Sequence, residues 1–182
     1  METKDKDCII NALLAEMQAI QSYSDAARII ENNEFKRYFK LFESNEYSHK
    51  EGLKKLISKN FNSKQMEELD IKINGFKPYR LEEKMDAKTI INKALSGEEI
   101  QYKRYIDCAG FVQDADTKKM FYAFADNEKL HAQVLKKMLI TLSSLKTEKS
   151  GKCKICGNPI ALNLGLCAEC AKKELLKNNQ KS

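Results

Sequence analysis

The 182-residue chain has no tryptophan, two prolines, seven glycines and only two histidines. So few prolines and glycines exclude collagen-like and low-complexity chains. They also disfavour turn-rich β-sandwiches and leave long uninterrupted helices as the expectation. No apolar run approaches the roughly 20 residues needed to cross a bilayer. The start, METKDKDCIINALLAEMQ, sets acids and lysines around a short apolar run and lacks the form of an export signal. A cytoplasmic protein without membrane association is expected. Basic residues outnumber acidic ones 32 to 26, but no dense Lys/Arg block sits among aromatics, so a nucleic-acid partner is not expected either. At 42% hydrophobic and 32% charged residues the chain is too apolar for disorder. Its length suits one main core and a small second module.

Periodicity supplies the elements. Ile9, Ile10, Leu13, Leu14, Met17 and Ile20 recur at three- and four-residue steps, which predicts a helix from Asp7 to about Glu31. Phe35, Phe39 and Phe42 restart the period toward Leu56 and Ile57 and complete a hairpin. Residues 61–85 lose the period and contain Gly75 and Pro78; they read as a long connection with one short helix. A third helix runs from Ile90 to about Val112, and a fourth from Asp116 to Leu145. After Lys146 the sequence turns polar and then cysteine-rich, so a helical domain over 1–146 and a metal module over 147–182 are expected.

The two hairpins are copies. Sliding the chain by 82 residues lays 16–49 on 98–131 without a gap, and ten of the 34 pairs are identical. Among them are Glu16 with Glu98, Tyr23 with Tyr105, Asp25 with Asp107, Phe39 with Phe121, Phe42 with Phe124, Asn45 with Asn127, Glu46 with Glu128 and His49 with His131. Glu-x-x-His on a helix puts both side chains on one face. Glu16 precedes the first hairpin turn by about as many residues as Glu46 follows it, so the two meet at one level, and Glu98 and Glu128 do the same. Two packed hairpins then converge four carboxylates and two imidazoles. Without cations such a cluster would suffer repulsion and desolvation, so two metals are expected. Carboxylate-rich ligation suits iron or manganese better than copper, with zinc possible; iron is preferred. The set resembles that of ferritin-like di-iron bundles.

Around this set, Tyr23 and Tyr105 lie two turns from Glu16 and Glu98, placed either to hydrogen-bond a ligand carboxylate or to serve as core tyrosines. Gln101 and Tyr102 face the site one turn from Glu98, and the repeat selects Glu98 over a solvated Glu99. The four paired phenylalanines form an apolar wall below the metals.

Cys153-x-x-Cys156 and Cys167-x-x-Cys170 form two knuckles able to close a tetrahedral four-thiolate site. So small a module, without aromatics, takes its stability from the metal, either structural zinc or a one-electron iron. Cys8 and Cys108 are expected as small buried or half-buried thiols.

In order, Glu16, Glu46-Tyr-Ser-His49, Ser-Gly-Glu98, Glu128-Lys-Leu-His131 and the paired Cys-x-x-Cys resemble rubrerythrin over nearly the whole chain. The resemblance implies an all-α fold: a ferritin-like four-helix bundle with a long crossover, then a rubredoxin-like module. It implies a di-iron peroxidase that reduces hydrogen peroxide to water in oxidative-stress defence. The expected assembly is a homodimer in which the four-cysteine iron of one subunit feeds the di-iron site of the other, drawing electrons from a reductase or rubredoxin. Glu16 and Glu98 then look like terminal ligands, Glu46 and Glu128 like bridging ones, and His49 and His131 like the nitrogen ligands. Gln101 stands where such proteins commonly carry a Glu that exchanges with a His as one iron moves, and a neutral amide is a poorer ligand. The second knuckle, Cys-Ala-Glu-Cys-Ala, departs from the usual Pro/Gly-rich form, which keeps zinc open there. Two other functions remain: a ferroxidase or oxygen-reducing di-iron protein with a structural zinc ribbon, and a catalytically idle bundle whose ribbon recruits a partner.

Overall fold

A computed structural model describes residues 3–144, 151–160 and 165–173. Five helices dominate: α1 (Thr3–Ile29), α2 (Asn33–Asn60), α3 (Ser63–Gly75), α4 (Ala87–Phe111) and α5 (Ala115–Ser144). Their starts follow local chemistry. Asn32 accepts from the Phe35 N–H ahead of α2, Asn62 forms a reciprocal capping box with Gln65 ahead of α3, and Asp86 accepts from the Thr89 N–H ahead of α4. Asp114 takes the Thr117 N–H at the start of α5. Asn32 and Asp114 are equivalent in the repeat, so the capping role is kept although the residue differs. Among the described residues, no helix is long and apolar enough to cross a membrane.

Helices α1, α2, α4 and α5 form the bundle, with α3 in the crossover. The core has two apolar clusters, one toward each end. Near the α1–α2 turn, Tyr23, Phe39, Phe42, Ile90, Leu135 and Met138 pack together. At the other end Leu13, Leu53, Phe61, Leu69, Tyr105 and Phe121 do so. Each bundle helix passes from one cluster to the other, and between them each contributes an acid to a buried polar layer: Glu16, Glu46, Glu98 and Glu128. The expected wall of four phenylalanines on one side of that layer is therefore divided. Phe39 and Phe42 lie on one side, Phe121 and Phe124 on the other, because antiparallel copies of one hairpin carry equivalent residues in opposite directions.

The crossover is strapped along α1. Arg80 donates to both carboxylate oxygens of buried Asp25, at 2.8 and 2.9 Å, and the Leu81 N–H adds a third bond at 3.1 Å. Gln18 exchanges two hydrogen bonds with the Tyr79 backbone.

The cysteine module has a two-residue antiparallel ladder, β1 (Gly151–Lys152) with β2 (Pro159–Ile160). Gly157 (φ +73°) and Gly165 (φ +82°) hold the left-handed turns its knuckles need. Cys153, Ile160, Cys167, Cys170 and Ala171 are packed into the same cluster as Tyr23 and Phe39. The module thus gains apolar cover from the bundle in addition to the stability that metal ligation would supply. The domain boundary expected after residue 146, and the end of the last helix at Leu145, lie outside the described residues.

Cys8 and Cys108 depart from expectation. They are bonded to each other, with Cα atoms 5.9 Å apart, and tie α1 to α4 across 100 residues of chain. Spacing in sequence carries no trace of this pairing; only the packing of α1 on α4 brings the two together.

Candidate metal centre

All six candidate side chains of the repeat meet in the buried layer, at most 2% exposed. The Nδ1 atom of His49 lies 2.9 Å from Glu46, 3.1 Å from Glu128 and 3.8 Å from Glu16. That of His131 lies 3.1 Å from Glu46, 3.4 Å from Glu98 and 3.6 Å from Glu128. Two groups of four have ligand atoms within 4.8 Å of one another, Glu16–Glu46–His49–Glu128 and Glu46–Glu98–Glu128–His131. Glu46 and Glu128 belong to both.

The donor set fits cations. Glu16 Oε2, both Glu46 oxygens, Glu98 Oε2, Glu128 Oε1 and both histidine Nδ1 atoms are buried without a hydrogen-bond partner. Orphaned polar atoms cost free energy unless something satisfies them. Seven such atoms converging from four helices are what a pair of metal ions would satisfy.

The electrostatics agree. Burial, reinforced by the Glu46 and Glu128 charges respectively, holds Glu16 and Glu98 well above the ordinary carboxylate range. Burial also pushes Glu46 and Glu128 upward, but the two imidazoles outweigh it at Glu46, and a hydrogen bond with Glu98 followed by the two imidazoles outweighs it at Glu128, leaving both lowered. Burial alone would lower the histidines, yet the surrounding carboxylates raise both well above their usual value. Without cations, protons take their place and neutralise the layer.

The surrounding contacts break the twofold repeat. The Tyr105 hydroxyl donates to Glu16 Oε1, and the Gln101 amide donates to the same oxygen at 3.2 Å. Arg104 holds the Gln101 carbonyl oxygen, so Gln101 presents its NH2 to the site. Tyr23 takes the second of its two expected roles, and Tyr102 does not face the site as expected. Tyr23 packs on Phe39 and Phe42, with ring centroids 5.8 and 5.6 Å apart, and is a core tyrosine. Tyr102 packs half-buried against the Leu13–Phe121 cluster. Glu99 is on the surface, paired with Lys136 at 2.8 Å.

Two residues escaped the sequence reading. The Asn127 amide lies 3.1 Å from His49 Nε2, and that of Asn45 lies 3.0 Å from His131 Nε2. Each asparagine reaches the histidine of the other half. Their identity within the repeat was the available signal. Phe124 and Phe42 stack on the two imidazoles, with centroids 4.2 and 4.3 Å apart.

The four cysteines of the module also converge within 4.8 Å. Backbone N–H groups, first that of Cys156, lower the Cys153 thiol to about 6, whereas burial raises Cys170 to about 12. Such a tetrad can bind a metal as thiolates.

A four-helix bundle with two overlapping carboxylate–imidazole groups at mid-height is, by class, a bundle able to hold a dinuclear metal centre. The family model described as Rubrerythrin matches residues 7–139, so the chain belongs to the rubrerythrin family. A hypothetical protein from Pyrococcus furiosus shares the fold with a TM-score of 0.65; it is 21% identical, and the match covers 79% of this chain and 93% of that one. No curated protein matches.

Proposed function

We propose that the protein is a non-haem di-iron peroxidase that reduces hydrogen peroxide to water. The observation that carries this reading is the sharing of Glu46 and Glu128 by two four-residue groups, each with its own imidazole and its own further carboxylate. Glu16 and His49 would complete one iron site and Glu98 and His131 the other, bridged by Glu46 and Glu128. Bound there, iron supplies electrons for cleaving the O–O bond and Lewis acidity for the oxygens released.

The chain supplies orientation and exclusion. Tyr105 and Gln101 both donate to Glu16 Oε1, which turns Oε2 toward the cation. Burial raises the Tyr105 hydroxyl well above its usual value, so it stays a neutral donor. Phe42 and Phe124 cover the imidazoles and keep bulk water off them. Overall, H2O2 with two electrons and two protons yields two water molecules.

Cys153, Cys156, Cys167 and Cys170 would hold one iron that receives electrons from an external reductase or rubredoxin, in oxidative-stress defence. The route we favour lies within one chain. Leu166, beside Cys167, accepts a hydrogen bond from the Tyr38 hydroxyl. Tyr38 packs on Phe42 at 6.2 Å, and Phe42 on His131 at 4.3 Å. This contact favours delivery in cis over exchange between subunits of a homodimer.

The test is anaerobic loading with ferrous iron, then one equivalent of hydrogen peroxide. Two irons per bundle, oxidised with peroxide consumed one to one, are expected for the natural chain, and Glu46→Ala should abolish both. A diferrous chain that leaves peroxide untouched would refute the assignment. One observation favours a second reading, oxygen-driven iron oxidation with zinc in the module: Gln101, fixed by Arg104, offers no carboxylate for ligand exchange. Aerobically purified protein would then be colourless in the module rather than red.

A further inference from the structure

A cleft between α1 and α4, partly open to solvent, reaches the buried acidic layer and offers about 440 Å³. Hydrogen peroxide is not much larger than a water molecule, for which about 10 to 15 Å³ of such space suffices, so the cleft is far larger than that substrate needs. Glu46, Glu98 and Glu128 line its floor, and each carries an oxygen that no hydrogen bond satisfies. Its walls are mostly apolar, although Lys93 and Arg104 also line them, and small side chains keep them apart, Ala15 and Ala19 on α1 and Ala94 and Gly97 on α4. Gly97 is telling. A glycine inside a helix is unfavourable relative to alanine, and here a Cβ would meet nothing within 4 Å; no close approach demands the glycine, and its effect is to leave the cleft wider. Tyr79 and Leu81 of the crossover close one side. A mostly apolar cleft of this size, with a few polar groups at its reactive end, has the form of a site for an organic molecule.

We infer that the cleft admits an apolar organic hydroperoxide, with the hydrocarbon body between α1 and α4 and the peroxide group at the acidic layer. This rests on the di-iron peroxidase reading and names a second substrate class for the same centre. The balance is ROOH with two electrons and two protons giving ROH and H2O. The O–O bond breaks, the carbon-bound oxygen stays in the alcohol, and the outer oxygen leaves as water. The electrons are those of the reduced centre and the protons come from solvent.

The experiment uses the full chain and two variants on opposite walls, Gly97→Leu and Ala19→Phe. Calorimetry on the zinc-loaded protein measures binding of 2-phenylpropan-2-ol, the alcohol derived from cumene hydroperoxide, without turnover. The iron-loaded protein is assayed with cumene hydroperoxide and with hydrogen peroxide, with metal content and sedimentation checked for every form. The expected result is one alcohol site per chain, weakened at least tenfold in each folded variant. The ratio of kcat/KM for cumene hydroperoxide over hydrogen peroxide should fall at least tenfold as well. Absent alcohol binding, or binding and a ratio that neither variant moves, overturns the cleft assignment while hydrogen peroxide reduction stands. A natural chain that is a dimer, with variants that are monomers, also overturns it, since a second copy then covers the cleft. A two-iron protein that binds the alcohol but reduces neither peroxide overturns the peroxidase reading and the substrate assignment together.

Discussion

Each imidazole of the centre turns Nδ1 toward carboxylates and Nε2 toward an asparagine amide. His49 Nδ1 faces Glu46 and Glu128, and its Nε2 faces the Asn127 amide. The amide nitrogen of Asn127 faces that Nε2 here; with Nδ1 given to a cation, Nε2 must carry the ring proton, and the amide would turn its carbonyl oxygen to accept it, setting tautomer and ring angle. Asn45 does the same for His131. Asn45→Ala and Asn127→Ala should each weaken metal binding about 10- to 100-fold while leaving the far-ultraviolet helical signal intact; titration against a competing chelator measures the loss. Loading the centre also displaces protons from histidines and carboxyls held above their usual values. Metal addition in weak buffer should therefore acidify the solution, and affinity should fall as pH falls. Calorimetry in two buffers of different ionisation heat would show both.

Among the elements, the crossover and the α1–α4 contact are held by devices far from the metals. Burial pushes Asp25 upward, but the bonds from Arg80 and the Leu81 N–H outweigh it and hold the carboxyl below its usual value. A lowered carboxyl adds stability above its unfolded value, about 3.9, and loses it as pH falls through the folded value. Asp25→Asn should thus destabilise the chain by about 1 kcal/mol near neutrality, a modest figure because solvent screens the Arg80 end. The difference from the natural chain should begin to narrow below about pH 4 and close only as pH falls through the lower folded value, which urea melts across pH would reveal. The Cys8–Cys108 link closes a loop of 100 residues, for which the chain-entropy account gives about 4 to 5 kcal/mol. The double variant Cys8→Ser, Cys108→Ser should melt well below the oxidised chain, and adding reductant should lower only the latter.

At the scale of the whole molecule, the cysteine module and the bundle that carries the carboxylate–imidazole layer are one packed unit. The module rests on the start of α2, where Tyr38 bonds Leu166 and Arg37 lies 3.9 Å from Glu169. The exposed ion pair adds little; the buried hydroxyl bond and the apolar contact carry the docking. Tyr38→Phe should speed amide exchange across residues 165–171 and, if the module holds iron as proposed, slow the passage of electrons from module to centre severalfold, read by stopped-flow absorbance of the iron-loaded chain. An unchanged rate would exclude the cis route.

The spacing of residues determined much of this. Period 3.6 fixed which acids and histidines share a face, the 82-residue repeat brought two such faces to one level, and paired Cys-x-x-Cys knuckles imposed the thiolate tetrad, because all three are local geometry of a helix or a tight turn. Only the tertiary structure decided that Tyr105 and not its repeat mate Tyr23 reaches a ligand, that Cys8 meets Cys108, that the phenylalanines flank the layer, and that a cleft opens beside it. Those outcomes depend on how helices far apart in the chain rotate and approach one another, a choice settled by side-chain packing between elements that spacing within any one of them does not record.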